Sequence, residues 1–269
     1  MKKIAVCISG QIRYWEAIYP FFEYWNNLFD DVEFTFFIST WKEKTWVDDK
    51  FGGLEIVDVD FDKHEFITSY SKHDHNIEMR SGGLKPHTPY QIYLMKQVQT
   101  LRKNYEDENN IKFDGVIQTR NDIFISYELL VRCIKTIKVE NYFLKNSIFT
   151  PGGVSLHPYS DIGVCLILQT DTFYFGISSI MDKLIDMYDY LNTDATELQT
   201  HFIQPEFFNR KNIHCYSIKT HPLVIRDTDV RKNGRPTSKS LIKIKNEKGI
   251  DWIFQTELQE VSKEYWNYK

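Results

Sequence analysis

The sequence predicts an α/β protein with an open, mostly parallel, Rossmann-like sheet flanked by helices, and three observations carry that prediction. Short β-branched runs recur, the clearest being "KIAVCISG" (3–10) and "VEFTFFIST" (32–40). Stretches with apolar residues at helical spacing lie between such runs; in "YQIYLMKQVQTLRKNYEDEN" (90–109), Ile92, Met95, Val98 and Leu101 form one stripe. The run "GVIQTRNDIFIS" (115–126) is aliphatic rather than alternating, as in strands covered on both faces.

Taken in order, 3–10 is the first parallel strand, ending in Gly10, and 15–29 is a helix that Pro20 ends or restarts. The second strand is 32–40 and the third is "LEIVDVDF" (54–61), with right-handed crossovers between them. A polar loop with Gly-Gly and two prolines spans 69–89; a connection of that length in a compact domain is more often functional than accidental. The helix 90–109 then leads into a strand at 113–119, and 127–137 is helical. A strand in "YFLKNSIFT" precedes the "PGG" turn, and the apolar segment 161–176 precedes a helix at 177–191. A helix at 196–212 is expected to break at Pro205, followed by a strand within 213–227 and a strand-turn-helix tail. There is no internal repeat, and a single domain over 1–269 is expected.

Composition narrows the function. At 42% hydrophobic and 26% charged the chain is globular, and its net charge of −4 gives no general footprint for nucleic acid. The basic stretch 230–248 reads as a solvated loop and edge strand, because Glu247 lies within it and Asp251 follows closely; it could also rest against an anionic phosphate or membrane surface. Aromatics at 15% suit a cleft that stacks sugars or bases, and equally suit a coding bias that favours Lys, Asn and Ile. Cys7, Cys133, Cys165 and Cys215 form no CxxC pair, so neither a zinc ribbon nor a disulfide framework is indicated. The N-terminal apolar run IAVCI is too short for a signal peptide, and no run reaches membrane-spanning length. A soluble, cytoplasmic protein is expected.

In an open α/β sheet, ligands bind outside the carboxyl ends of the strands. Three polar clusters fall there. Ser9, Gly10, Gln11 and Arg13 follow the first strand, where Gly permits a tight turn and Arg can grip a phosphate. A turn glycine and a surface arginine explain the same residues. Arg120, Asn121 and Asp122 interrupt an aliphatic strand, which is costly unless the charges are paired or used. Asp122 could hold a magnesium or manganese ion bridging nucleotide phosphates, with Arg120 on the diphosphate; alternatively the two form a salt bridge. The third cluster is Asp161, Asp171, Glu197, His201, Glu206 and His221. Glu197 and His201 share a helix face by their spacing, so Glu197 could deprotonate a hydroxyl, or the two form an exposed pair. His221 could complete a metal site or contact phosphate. His73 and His75 could bind a metal or simply be solvated. No GxSxG, HExxH or Walker A pattern occurs.

The order of "AVCISGQIR", "FFISTW", "YQIYLMKQV", "DGVIQTRNDIFI", "TDTFYFGISSIM" and "TELQTHF" resembles GT-A-type glycosyltransferases of bacterial surface-polysaccharide clusters and of large DNA viruses or phages. The resemblance covers roughly residues 3–215. It implies a GT-A-like fold with a nucleotide-sugar half (1–126) and an acceptor half with a tail (127–269). It also implies transfer of a sugar from a nucleoside-diphosphate donor to a glycan hydroxyl. Arg120-Asn121-Asp122 then stands where the family carries DXD, with arginine replacing the first acid. Asp122 and His221 become the metal candidates for manganese or magnesium. Ser9, Gly10, Gln11, Arg13, Gln91, Arg120 and Asp122 become the nucleotide-sugar set. Phe175 and Gly176 fall on the acceptor side, and Glu197 and Asp171 become the catalytic candidates. A nucleotidyltransferase or phosphohydrolase, and a non-catalytic carbohydrate-binding protein, are the alternatives.

Overall fold

The computed structural model describes residues 1–10, 22, 25–26, 28–41, 66–71, 88–120, 123–125, 127–138, 145–151, 154–159, 163–168, 173–193, 200–218, 223–224, 241–243 and 252–254. A seven-stranded sheet forms the centre. Its strands are β1 (Lys2–Ser9), β2 (Val32–Trp41), β3 (Ile67–Ser71), β4 (Gly115–Arg120), β6 (Ser147–Pro151), β9 (Phe173–Gly176) and β10 (His214–Ile218). Their order is β10-β6-β9-β4-β1-β2-β3. Every pairing in it is parallel except the two made by β9, with β4 and with β6. The α/β class and the mostly parallel sheet are therefore as the sequence predicts.

The chain places β1 first, builds outward through β2 to β3, and returns through helix α1 (Thr88–Glu108) to set β4 on the other side of β1. The direction of winding reverses between β1 and β4, and that reversal positions the site. Along β1 the side chains alternate between two cores. Ile4, Val6 and Ile8 join Phe22, Trp25 and helix α2 (Tyr127–Lys138) on one face; Ala5 and Cys7 join α1 and the later helices on the other. All five are fully buried, which is why this strand reads as an unbroken apolar run.

The run "GVIQTRNDIFIS" divides into two strands in different sheets. β4 ends at Arg120, and β5 (Ile123–Phe124) pairs antiparallel with β11 (Leu223–Val224). The charged interruption thus falls where the chain leaves the central sheet.

Several boundaries differ from expectation. The described third strand is 67–71, whose end was read as loop; among the described residues it pairs with a strand on one side only, and an edge strand tolerates "SYS". The stretch 54–61, most of the helix 15–29 and the tail helix lie outside the described residues. The segment 161–176 is split: β8 (Gly163–Leu168) folds back on β7 (Val154–Tyr159) as a separate pair, and only β9 enters the main sheet. The helix expected at 177–191 is α3 (Ser178–Met181), a 3-10 turn Asp182–Asp186 and α4 (Met187–Thr193). A two-stranded pair, β12 (Leu241–Lys243) with β13 (Trp252–Phe254), stands apart.

Pro205 does not break its helix; it sits inside α5 (Thr200–Arg210). An interior proline costs about 3 kcal/mol. Ile203, Phe207 and Phe208 on the same helix are at most 2% exposed, and each buried side chain returns about 1.5–3 kcal/mol. Packing therefore outweighs the lost hydrogen bond. Among the described residues, no helix is long and apolar enough to cross a membrane.

Candidate functional site

At the carboxyl edge, Ser9 lies across from Arg120 on one side and from Ser39 on the other. Open α/β sheets bind ligands at such a reversal, because the flanking connections diverge and leave a crevice. Gly10 follows Ser9 with φ at 133°, a conformation that L side chains rarely adopt, and its N–H donates to the Ser39 carbonyl at 3.2 Å. Gly10→Ala is therefore expected to lower stability by about 1–3 kcal/mol. A urea midpoint equal to wild type would contradict this reading of the turn.

Beside this turn, β2 ends in Ser39, Thr40 and Trp41. Ser39 and Thr40 are at most 2% exposed, and among the described residues neither Oγ of Ser39 nor Oγ1 of Thr40 has a hydrogen-bond partner. A buried polar group left unpaired costs about 1–3 kcal/mol, and as neighbours on a strand the two hydroxyls lie on opposite faces of the sheet near its carboxyl edge, where a polar ligand could satisfy one or the other. Trp41 stacks on Tyr93 of α1 at 5.7 Å and meets Tyr90 edge-on, which brings the first turns of α1 to the same edge. Gln91 is half-buried in that part of α1.

Behind the edge runs a buried polar network. Gln118 Nε2 donates to Ser9 Oγ at 3.0 Å, and Gln99 Nε2 donates to Gln118 Oε1 at 2.9 Å. Arg102 Nε donates to Gln99 Oε1, and its Nη1 donates to Glu106 Oε2 at 2.8 Å and to Ser178 Oγ at 2.7 Å. Its Nη2 donates to Asp182. Glu106 also accepts from Ser178, from the Phe113 N–H and from Lys112. Burial alone would push the Glu106 carboxyl up. The Phe113 N–H, the Ser178 hydroxyl, the Arg102 charge and Lys112 outweigh it and hold the carboxyl below its ordinary value. The Cys7 thiol, on the same face, is pushed up to about 12 by burial, so it is not a nucleophile at neutral pH.

Of the residues singled out in the sequence, Ser9, Gly10 and Arg120 meet at the reversal, and Gln91 lies on the helix that reaches the same edge. Phe175 and Gly176 do not reach it. β9 runs antiparallel to β4, so Phe173 pairs with Thr119 near the carboxyl edge while Gly176 pairs with Val116 near the other end. Phe175 is 1% exposed in the core, and a Cβ on Gly176 would sit 3.2 Å from the Ser147 carbonyl. Glu206 pairs with Arg210 on α5. Gln11, Arg13, Asp122, Asp171, Glu197 and His221 lie outside the described residues.

Sequence reading missed Ser39, Thr40, Gln99, Arg102, Glu106 and Gln118. Part of the signal was present, since Gln118 and Ser39-Thr40 are polar residues inside buried strands, the same anomaly that drew attention to Arg120. Among the described residues, no group of three or more His, Cys, Asp or Glu could hold a metal ion. The described part of the "TRND" segment offers a cation, Arg120, which does not fit a divalent ion as a ligand.

No family model matches the chain, and no curated protein matches it. Among solved structures it is similar to a protein from Desulfovibrio desulfuricans G20 assigned as a nucleotide-diphospho-sugar transferase, at 12% identity and a TM-score of 0.40, covering 100% of this chain and 99% of that one. It is also similar to a 4-diphosphocytidyl-2C-methyl-D-erythritol synthase, at 11% identity and a TM-score of 0.44, over 84% of this chain and 93% of that one. The 2-C-methyl-D-erythritol 4-phosphate cytidylyltransferase of Francisella tularensis is similar at 11% identity and a TM-score of 0.40, over 85% and 95%. These likenesses are distant.

Proposed function

We propose that this chain is a nucleotide-dependent transferase that binds a nucleoside-diphosphate sugar across the β1/β4 reversal and passes the sugar to a glycan hydroxyl. The supporting observation is the join of Ser9 and Gly10 with Arg120 at a switch point, beside buried hydroxyls with no partner among the described residues. Such an edge suits a ligand rich in anionic oxygens. Glycosyl transfer from a nucleotide sugar breaks the anomeric C–O bond, and the departing diphosphate takes the electron pair. Positive charge beside that diphosphate lowers the barrier, and Arg120 with Arg13 would supply it. Glu197 and Asp171 are the proposed catalytic residues, with Glu197 as the base that takes the acceptor proton if the reaction inverts the anomeric centre. Asp122 and His221 are the proposed ligands should manganese or magnesium assist; the part assigned to Arg120 needs neither ion.

The test is a thermal-shift screen of nucleoside-diphosphate sugars and nucleoside triphosphates, each with and without manganese. A donor at a hundred times its dissociation constant should add about 2.7 kcal/mol to the unfolding free energy. The expected result is a shift with sugar nucleotides, followed by diphosphate release when a glycan acceptor is added. A shift with triphosphates alone, with pyrophosphate release, would instead make the chain a nucleotidyltransferase. No nucleotide shift at all would leave a carbohydrate-binding protein.

A further inference from the structure

Ser9 is the last member of a buried relay whose polarity is set by one side chain. The oxygen and nitrogen of a glutamine amide have the same shape, so their assignment rests on their partners. Arg102 can only donate, and its Nε faces Gln99 at 3.1 Å, so Gln99 must turn its oxygen to the arginine. The Gln99 Nε2 then faces Gln118 at 2.9 Å and requires the Gln118 oxygen there. That leaves the Gln118 Nε2 to donate to Ser9 Oγ at 3.0 Å and to the Thr119 carbonyl at 3.1 Å. The carbonyl is an independent check, because it too can only accept. Flipping either amide would set donor against donor at one end of the relay. Gln99 and Arg102 are fully buried, and Gln118 and Ser9 are 3% exposed, so solvent does not repair such a mismatch.

We infer that Gln118 and Gln99 are positioning residues that make Ser9 a hydrogen-bond donor toward an oxygen acceptor of the bound ligand. Ser9 Oγ accepts from Gln118, so its hydroxyl proton turns away from the relay. Among the described residues no acceptor takes that proton. Ser9 stands across from Arg120 in the β1/β4 register, so the presented O–H and a cationic residue are neighbours at the carboxyl edge. This inference rests on the proposed function, on which the acceptor is a phosphate oxygen of a nucleoside diphosphate. The donor-only character of Arg102 thus sets the hydrogen-bond polarity of Ser9 through two amides, without Arg102 touching the ligand.

Gln118→Glu tests the relay by reversing its end. A carboxylate accepts both from Gln99 and from the Ser9 hydroxyl, so Ser9 turns inward and offers the ligand only a lone pair. Wild type, Gln118→Glu, Ser9→Ala and the double variant are titrated with adenosine, guanosine, cytidine and uridine diphosphate. For the tightest of the four, Gln118→Glu is expected to weaken binding about tenfold or more. In the Ser9→Ala background the same substitution should cost much less, because the added charge acts in both backgrounds but the reversal acts only through Ser9. Equal losses in both backgrounds would overturn the inference.

A second measurement needs neither ligand nor variant. In the wild-type protein, nuclear Overhauser contacts from the Gln118 side-chain NH2 protons to the Ser9 β-protons are expected. Contacts from those protons to the Gln99 side chain instead would show the opposite polarity and overturn it. If wild type binds none of the four diphosphates, the proposed function falls with the ligand half of the inference, while the Overhauser contacts judge the amide polarity by themselves.

Discussion

Glu106→Ala is expected to destabilise the protein by about 3–5 kcal/mol, the usual consequence of removing one partner from a buried ion pair. The magnitude follows from what the carboxylate serves. It is fully buried and accepts from the Arg102 guanidinium, the Ser178 hydroxyl, the Phe113 N–H and Lys112. Alanine would strand part of the Arg102 charge beside Asp182 and leave the Phe113 amide unpaired in the core. Glu106→Gln keeps most of the shape and should fall between the two. Urea unfolding of the three proteins measures this, and a Glu106→Ala midpoint within error of wild type would mean the network holds nothing together.

The same carboxyl carries a pH signature. Its folded-state pKa is depressed, so its contribution is fully present above the ordinary carboxylate value of 4.5. That contribution is lost as pH falls below 4.5 and through the lower folded value. The acid limb of stability should therefore be shallower in Glu106→Gln than in wild type.

The second large effect is on turnover. Arg120→Ala is expected to lower kcat by about 10²–10³-fold, the usual scale for removing a group that stabilises developing negative charge. Arg120→Lys should recover only part of it, because an ammonium keeps the charge but loses the planar fork that grips two phosphate oxygens. Asp122→Ala should abolish transfer and donor hydrolysis and leave the melting temperature near that of wild type. Full activity in Asp122→Ala would remove the basis for the donor-site assignment, and unchanged kcat in Arg120→Ala would remove arginine from the mechanism.

The two anomalies that pointed to this edge were legible for different reasons. Arg120 stood out because charge inside an aliphatic strand is costly, so its presence demanded a use. Gly10 stood out as a turn, but its positive φ became visible only in the backbone. Arg102 and Glu106 were hidden in plain helix sequence: an Arg and a Glu four apart on a helix read as a surface pair, and only tertiary packing shows both fully buried. Phe175 and Gly176 show what strand direction decides. Nothing local tells whether a strand entering the sheet runs parallel or antiparallel, and the reversed β9 is what carries Gly176 away from the carboxyl edge.

By itself the sequence determined the class of the fold, most of the central strands, the helix over 90–109 and the two polar strand ends after Ser9 and around Arg120. Those follow from hydrophobic period and from the cost of burying charge, which are local properties of a chain. Which strand lies beside which was decided only in three dimensions. Strand order and direction depend on how helices cover both faces of the sheet, and they join residues 9, 39 and 120 at one edge. The polarity of the relay behind Ser9 belongs to that second kind, because it requires Arg102 to be buried beside the Gln99 amide of its own helix while that amide meets Gln118 on β4.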